Sequence, residues 1–256
     1  MKFGFRTGGF SGWKIEDVLK ELSEIGFDGL EICLESPDVR PENFTPGQAD
    51  DIKKLLAQIN LEIASVSYHA DNESSQVRKA NTTKCVEIAN WLDTDILIVN
   101  AERIKEGEKE SQWQELVDWL KELTGVGEKY KVNIAFEPEP LLIIHDTDDM
   151  LEMIKEVDSP NLKVNLDIGH AYITDPDLPD SIRKLGDNIV HAHIEDIKDR
   201  VHSHLELGQG DIDFKAMHQA FTDIGYKGYY VVDLFRLGDK PSEVAKRSLK
   251  ALKSRF

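Results

Sequence analysis

Cysteine is nearly missing from this sequence: its 256 residues include two, Cys33 and Cys85, and no C-x-x-C pair. That excludes a disulfide framework and a thiolate zinc site. Long apolar runs are missing too. None approaches the roughly 18 residues a membrane span needs, and the opening MKFGFRTGGF has no secretory-signal anatomy. The expectation is a cytoplasmic protein with no membrane partner. Basic residues are the minority, 31 Lys and Arg against 48 Asp and Glu, for a net charge of −17. Such a field repels phosphate backbones, so a nucleic-acid partner is disfavoured and solubility is the simplest meaning of the charge. Low-complexity tracts and Pro-, Gly- or Ser-rich linkers are also lacking. The length therefore suits a single domain, since α/β barrels run to about 250 residues.

What the sequence has is alternation. Short apolar runs recur as KFGFR (2–6), GLEICL (29–34), IASVSYH (63–69), DILIVNA (95–101), VNIAFEP (132–138), KVNLDIG (163–169), IVHAHIE (189–195) and YYVVDLF (229–235). They are rich in β-branched and aromatic residues, as buried parallel strands are. Helical patterns lie between them. Residues 15–26 place Val18, Leu19, Leu22 and Ile25 on one face and close with Gly26, while 45–59 open with Thr45 as cap and Pro46 in the first turn. Residues 74–92, 111–130, 147–157, 213–224 and 242–255 read the same way. The stretch 174–187 is short, carries Pro176 and Pro179, and gives the weakest helical signal. Eight strands alternating with about eight helices predict a parallel sheet closed into a single-domain (β/α)8 TIM barrel spanning 1–256. A doubly wound open sheet is the competitor, but RTGGFSGW after the first run lacks G-x-G-x-x-G spacing.

In such a barrel the active site gathers at the C-terminal ends of the strands. The runs carry there Glu31; His69; Asn100 and Glu102; Glu137 and Glu139; Asp167 and His170; His193; and Asp233. Any one of these can be a helix cap or a hydrogen-bonded core residue. The conjunction is more specific, because burying an unpaired charge costs several kcal/mol. Glu137, Asp167, His193 and Asp233 come from four successive strands at equivalent depth and can converge. One imidazole with three carboxylates suits Mn²⁺, Mg²⁺, Co²⁺ or Zn²⁺ with positions left open for substrate. Residues 188–211 hold four of the eight histidines. His191 shares the inward face with His193 but lies a layer deeper, as a core residue, and His202 and His204 fall in the loop that follows.

Several motifs, in this order and spacing, resemble the xylose isomerase-like TIM-barrel superfamily and its sugar phosphate isomerase/epimerase branch. They are GFDGLEI (26–32), SVSYH (65–69), FEPEP (136–140), VNLDIGHA (164–171), HAHIED (191–196), LGQGDIDF (207–214) and GYKGYYVVDL (225–234). The resemblance implies a divalent metal held by Glu137, Asp167, His193 and Asp233. The family usually has Glu at the last position, so Asp233 is one methylene short, roughly 1.5 Å where placement within about 0.5 Å matters. The implied activity is isomerisation or epimerisation of a sugar or related hydroxy-carbonyl compound through a metal-stabilised cis-enediolate. Glu137 and Asp233 would exchange protons on opposite faces of the substrate, with His170 supporting a hydroxyl or the metal. Glu31, His69, Glu139, His204, Trp13 and Arg236 are candidate substrate contacts, and Phe10, Tyr68 and Arg103 belong to the same loops. An exposed Trp113/Trp119 face would point to a homo-oligomer.

Three other readings stay open. An endonuclease IV-like phosphodiesterase with a three-metal cluster has counterparts here in His69, Glu137, Asp167, His170, His193 and His204. It departs at Asn100, which stands for a ligand histidine, at His202, which stands for an Asp, and at Asp233, which stands for a Glu. The second is a metal-dependent lyase or dehydratase on the same scaffold, and the third a non-catalytic barrel that binds a sugar or metal.

Overall fold

The computed structural model describes residues 1–235 and 237–256. The strands are β1 (Lys2–Arg6), β2 (Gly29–Cys33), β3 (Glu62–Ser67), β4 (Ile96–Val99), β5 (Asn133–Phe136), β6 (Leu162–Asp167) and β7 (Ile189–Ile194). A hairpin of β8 (Asp196–Lys198) and β9 (Val201–Leu205) follows, and β10 (Tyr229–Val232) closes the barrel between β7 and β1. All eight barrel pairings are parallel. The helices are α1 (Ile15–Ile25), α2 (Pro46–Ile59), α3 (Ser75–Trp91), α4 (Lys109–Tyr130), α5 (Thr147–Val157), α6 (Ile168–Thr174), α7 (Leu178–Leu185), α8 (Phe214–Asp223) and α9 (Pro241–Arg255). This is the single-domain (β/α)8 barrel that the alternation predicts. Among the described residues no helix is long and apolar enough to cross a membrane.

Local chemistry explains the boundaries. Thr45 and Gln48 form a reciprocal capping box on α2 with Pro46 in its first turn, and α1 ends on Gly26 at φ 95°. The doubtful stretch 174–187 becomes α7, because Asp177 caps it and Pro179 falls in its first turn, where no N–H is missed. The run 163–169 stops being a strand at Asp167, whose carboxylate accepts the His170 N–H at 2.7 Å and starts α6. The loop after β7 is more ordered than its polar composition suggests. Asp196 accepts the backbone N–H groups of Gly208, Gly210 and Ile212, and the hairpin turns at Asp199 and Arg200, both at positive φ. The tryptophan face is not exposed: Trp113 and Trp119 are half-buried against the core, with Lys79 over the Trp119 ring.

The two ends of the barrel differ. At the N-terminal end Tyr229 reaches from β10 past Gly29 of β2 to hydrogen-bond Glu62 of β3, and Lys2 stands over its ring. Higher up, the interior turns polar. His191 is fully buried, 2.8 Å from Asn165 Oδ1 and 3.0 Å from Ser65 Oγ, and burial lowers its pKa to about 3, so it is a neutral, hydrogen-bonded core residue. A Cβ at position 29 would stand 2.5 Å from the Tyr229 ring and 3.0 Å from the Glu62 carbonyl oxygen. Gly29→Ala is therefore expected to destabilise by about 1–3 kcal/mol. In calorimetry that is a melting temperature lower by roughly 2–4 °C per kcal/mol; an unchanged melting temperature contradicts the tight floor.

Candidate active site

His193 anchors the site. Its Nε2 lies 2.7 Å from Glu31 Oε2, and because a carboxylate only accepts, that nitrogen carries a hydrogen. Nδ1 then points the other way, where it accepts from Asn165 Nδ2 at 3.0 Å and faces Glu137 Oε2 at 3.3 Å, Asp233 Oδ2 at 3.6 Å and Asp167 Oδ2 at 3.9 Å. All four groups are buried. Burial opposes a charged imidazole, but Glu31 and Glu137 outweigh it and raise the His193 pKa well above its ordinary value. The position thus favours positive charge at this ring. Burial likewise opposes the Glu137 carboxylate, yet His193 and His69 hold its pKa well below the usual range. Asp167 is buried against Glu195, and its Oδ1 caps α6. One imidazole nitrogen and three buried carboxylates fit a divalent cation, with Glu31 as the carboxylate that orients the ligand histidine. Ligand atoms of Glu137, Asp167 and His193 lie within 4.8 Å of one another, as do those of Asp167, His204 and Asp233.

A second convergence lies beside the first. His170 Nδ1 is 3.2 Å from the Pro138 carbonyl and His204 Nδ1 is 3.0 Å from the Asp233 carbonyl. Carbonyls only accept, so both Nδ1 atoms carry hydrogen and both Nε2 atoms are left to accept when the rings are neutral. Each of those Nε2 atoms lies 3.0 Å from His202 Nε2. Burial, then the neighbouring imidazoles, lower the His202 pKa to about 4, so that ring is neutral near pH 7. His204 holds its place with φ +34°, an uncommon backbone for a residue with a Cβ. These three nitrogens also make a set able to hold a cation.

Both clusters open into a cavity of about 550 Å³ at the C-terminal mouth. His69, Glu137, Glu139, His170, His204 and Asp233 line it. Glu139 accepts a hydrogen bond from Asn100, and burial raises its pKa. Two expected substrate contacts stand elsewhere. Glu31 is fully buried beneath the cavity, where His193 and Arg6 occupy its carboxylate. Trp13 is exposed outside the lining, edge-on to Phe10. Arg236 lies outside the described residues.

Three residues that reasoning from acids and histidines passed over belong here. Glu35 lines the cavity and fixes its wall by accepting the His69 and Ala70 N–H groups. Arg6, at the end of β1, is buried among Glu31, Asp233 and His69. A charged side chain closing the run KFGFR is the signal that would have found it. Glu195 is fully buried against Asp167, and a Cβ at Gly169 would collide with it. Burial, then the Asp167 charge, raise its pKa well above 4.5, so Glu195 keeps its proton where an ordinary glutamate has lost it. Stability from this group is present below the unfolded value and is lost as pH rises above it. In metal-free protein, Glu195→Gln is thus expected to raise the melting temperature, with the gain larger at pH 7.5 than near pH 4.5; equal gains contradict the protonated state.

Known proteins agree with this architecture. A xylose isomerase-like TIM-barrel family model matches residues 19–255. Fructoselysine 3-epimerase of Shigella flexneri is 23% identical over 99% of this chain and 98% of its own length. The 3-dehydroshikimate dehydratase of Bacillus anthracis is 26% identical over 80% of this chain and 75% of its own. The crystal structure of IolI protein with a bound zinc atom superposes with a TM-score of 0.85 at 21% identity, covering 100% of this chain and 98% of that one. The chain belongs to the xylose isomerase-like TIM-barrel family.

Proposed function

We propose that this barrel is a divalent-metal-dependent isomerase or epimerase acting on a sugar or related hydroxy-carbonyl compound. The observation that carries the reading is His193, pinned at Nε2 by Glu31 and facing three buried carboxylates through Nδ1. A divalent cation bound by Glu137, Asp167, His193 and Asp233 supplies Lewis acidity that makes a hydrogen next to a carbonyl removable. The chain's own groups do the rest. Glu137 lies between His170 and His193 at the cavity wall and takes the proton. Asp233, from a strand separated from β5 by β6 and β7, serves the other face. Return of the proton there gives epimerisation, and return at the neighbouring carbon gives isomerisation. His170 and His204 hold substrate hydroxyls, and Glu139, with its raised pKa, offers a hydrogen to one. The epimerase among the relatives supports this outcome, while the dehydratase marks the variant in which a neighbouring hydroxyl leaves instead.

The three convergent Nε2 atoms favour one alternative, a multi-metal phosphodiesterase, and metal content separates the two. One tightly held ion per chain supports the isomerase, and two or three support the phosphodiesterase. Assays over ketoses, inososes, fructoselysine and 3-dehydroshikimate with added Mn²⁺, Mg²⁺, Co²⁺ or Zn²⁺ are expected to give turnover that a chelator abolishes. In D₂O the product should carry deuterium at the carbon that lost its proton. Glu137→Gln is expected to lower kcat/KM by about 10²–10⁴-fold; full turnover in that variant overturns the acid–base role.

A further inference from the structure

The proposed ligand set is not held by its own strands alone, and the group that links its members is a cation. Arg6 is only 9% exposed. Its Nε donates to Glu31 Oε1 at 2.9 Å, its Nη1 to Asp233 Oδ1 at 3.3 Å, and its Nη2 lies 2.9 Å from His69 Nδ1. A guanidinium has donors on three nitrogens in one plane and no acceptor, so each contact has only one possible direction. The His69 contact therefore fixes a tautomer. Nδ1 must accept, which leaves the hydrogen on Nε2; that buried nitrogen makes no hydrogen bond among the described residues and stands 3.4 Å from Glu137 Oε2, aimed at the proposed ligand.

Followed outward, the three bonds lead toward three different proposed ligands. Asp233 is reached directly. His193 is reached through Glu31, whose second oxygen takes the Nε2 hydrogen. Glu137 is approached through His69. Asp167 is held independently, by the first turn of α6, and Glu137 Oε2 has a second support, the Asn165 amide, which donates to it at 2.7 Å. The arrangement also gives the short side chain at 233 two separate tasks. Asp233 Oδ1 is held by the guanidinium, and Oδ2 is left facing His193 Nδ1 at 3.6 Å and His204 Nδ1 at 3.9 Å. A compact lysine ammonium could not make three bonds in one plane at this spacing.

We propose that Arg6 is the positioning residue of the metal centre, one guanidinium that presets Asp233 and, through Glu31, His193 before any ion arrives, and that orients His69 toward Glu137. The inference rests on the metal reading given above. The test is metal binding, which needs no substrate. Wild-type protein and Arg6→Lys are stripped with chelator and titrated with Mn²⁺, then loaded with Co²⁺, whose visible spectrum reports ligand geometry. Arg6→Lys keeps the charge and loses the fork; it is expected to weaken Mn²⁺ binding by about 10–100-fold and to shift the Co²⁺ bands. Arg78→Lys is the matched control. Arg78 is also buried but donates to the Asn100 and Ala101 carbonyls and the Asn100 side chain, away from the proposed metal ligands, so stability falls while Mn²⁺ affinity and the Co²⁺ bands hold. If Arg6→Lys does not fold, Arg6→Gln with Glu31→Gln is compared with Glu31→Gln alone, and a further loss of Mn²⁺ affinity in the double variant is the expected result, while equal affinities overturn the proposal. Mn²⁺ affinity within twofold of wild type and unshifted Co²⁺ bands overturn the proposal, whatever happens to the melting temperature. Wild-type protein that binds neither ion overturns the metal reading itself.

Discussion

Charge inside a barrel survives only beside other charge, and the upper half of this one follows that constraint throughout. Glu31, Glu137, Asp167, His193 and Asp233 are all removed from water, and an isolated member would cost several kcal/mol. Each is tolerable because a neighbour of opposite sign or a hydrogen-bond donor stands within reach. Arg6 and His193 supply most of that compensation. The balance is incomplete at Asp167, whose second oxygen takes no hydrogen bond from a cation among the described residues, and at its neighbour Glu195, which keeps a proton instead of a charge. Both deficits lie on the same side of the cluster. They mark where the interior has more negative charge than it can neutralise, which is what a cation site requires.

The fold was legible because its signals are local and repeated. Eight β-branched runs and the helical faces between them specify a barrel whichever loops join them. The family model over 19–255 agrees. The ligand candidates were legible for a related reason: an acid or histidine ending an apolar strand stands out against its background. Three features were hidden because no spacing encodes them. Arg6 looked like the close of a first strand, and its partners come from β2, β3 and β10, up to 227 residues away in the chain. Glu31 looked like a substrate contact, but its depth places it below the cavity, on His193 and Arg6. Glu195 sits between His193 and Asp196 in HAHIED, and the conspicuous residues on either side concealed it.

His202 and His204 show the opposite case, a motif visible in sequence whose geometry was not. The histidine-rich stretch divides in space into one buried core ring, one ring tied to Glu31, and a pair carried on a hairpin. Asp196 fixes that hairpin by gathering three backbone donors from the loop beyond it, so the pair reaches His170 from a rigid base. A short tether at the end of β7 thus joins the two clusters mechanically, since His193 and Asp196 are three residues apart.

The floor has a consequence of its own. Tyr229, laid from β10 past Gly29 to Glu62, stops the lower end of the barrel, while the cavity opens at the other. A vessel stopped at one end has a single doorway. A molecule bound in that cavity would leave by the route it entered, and two could not pass each other at the threshold.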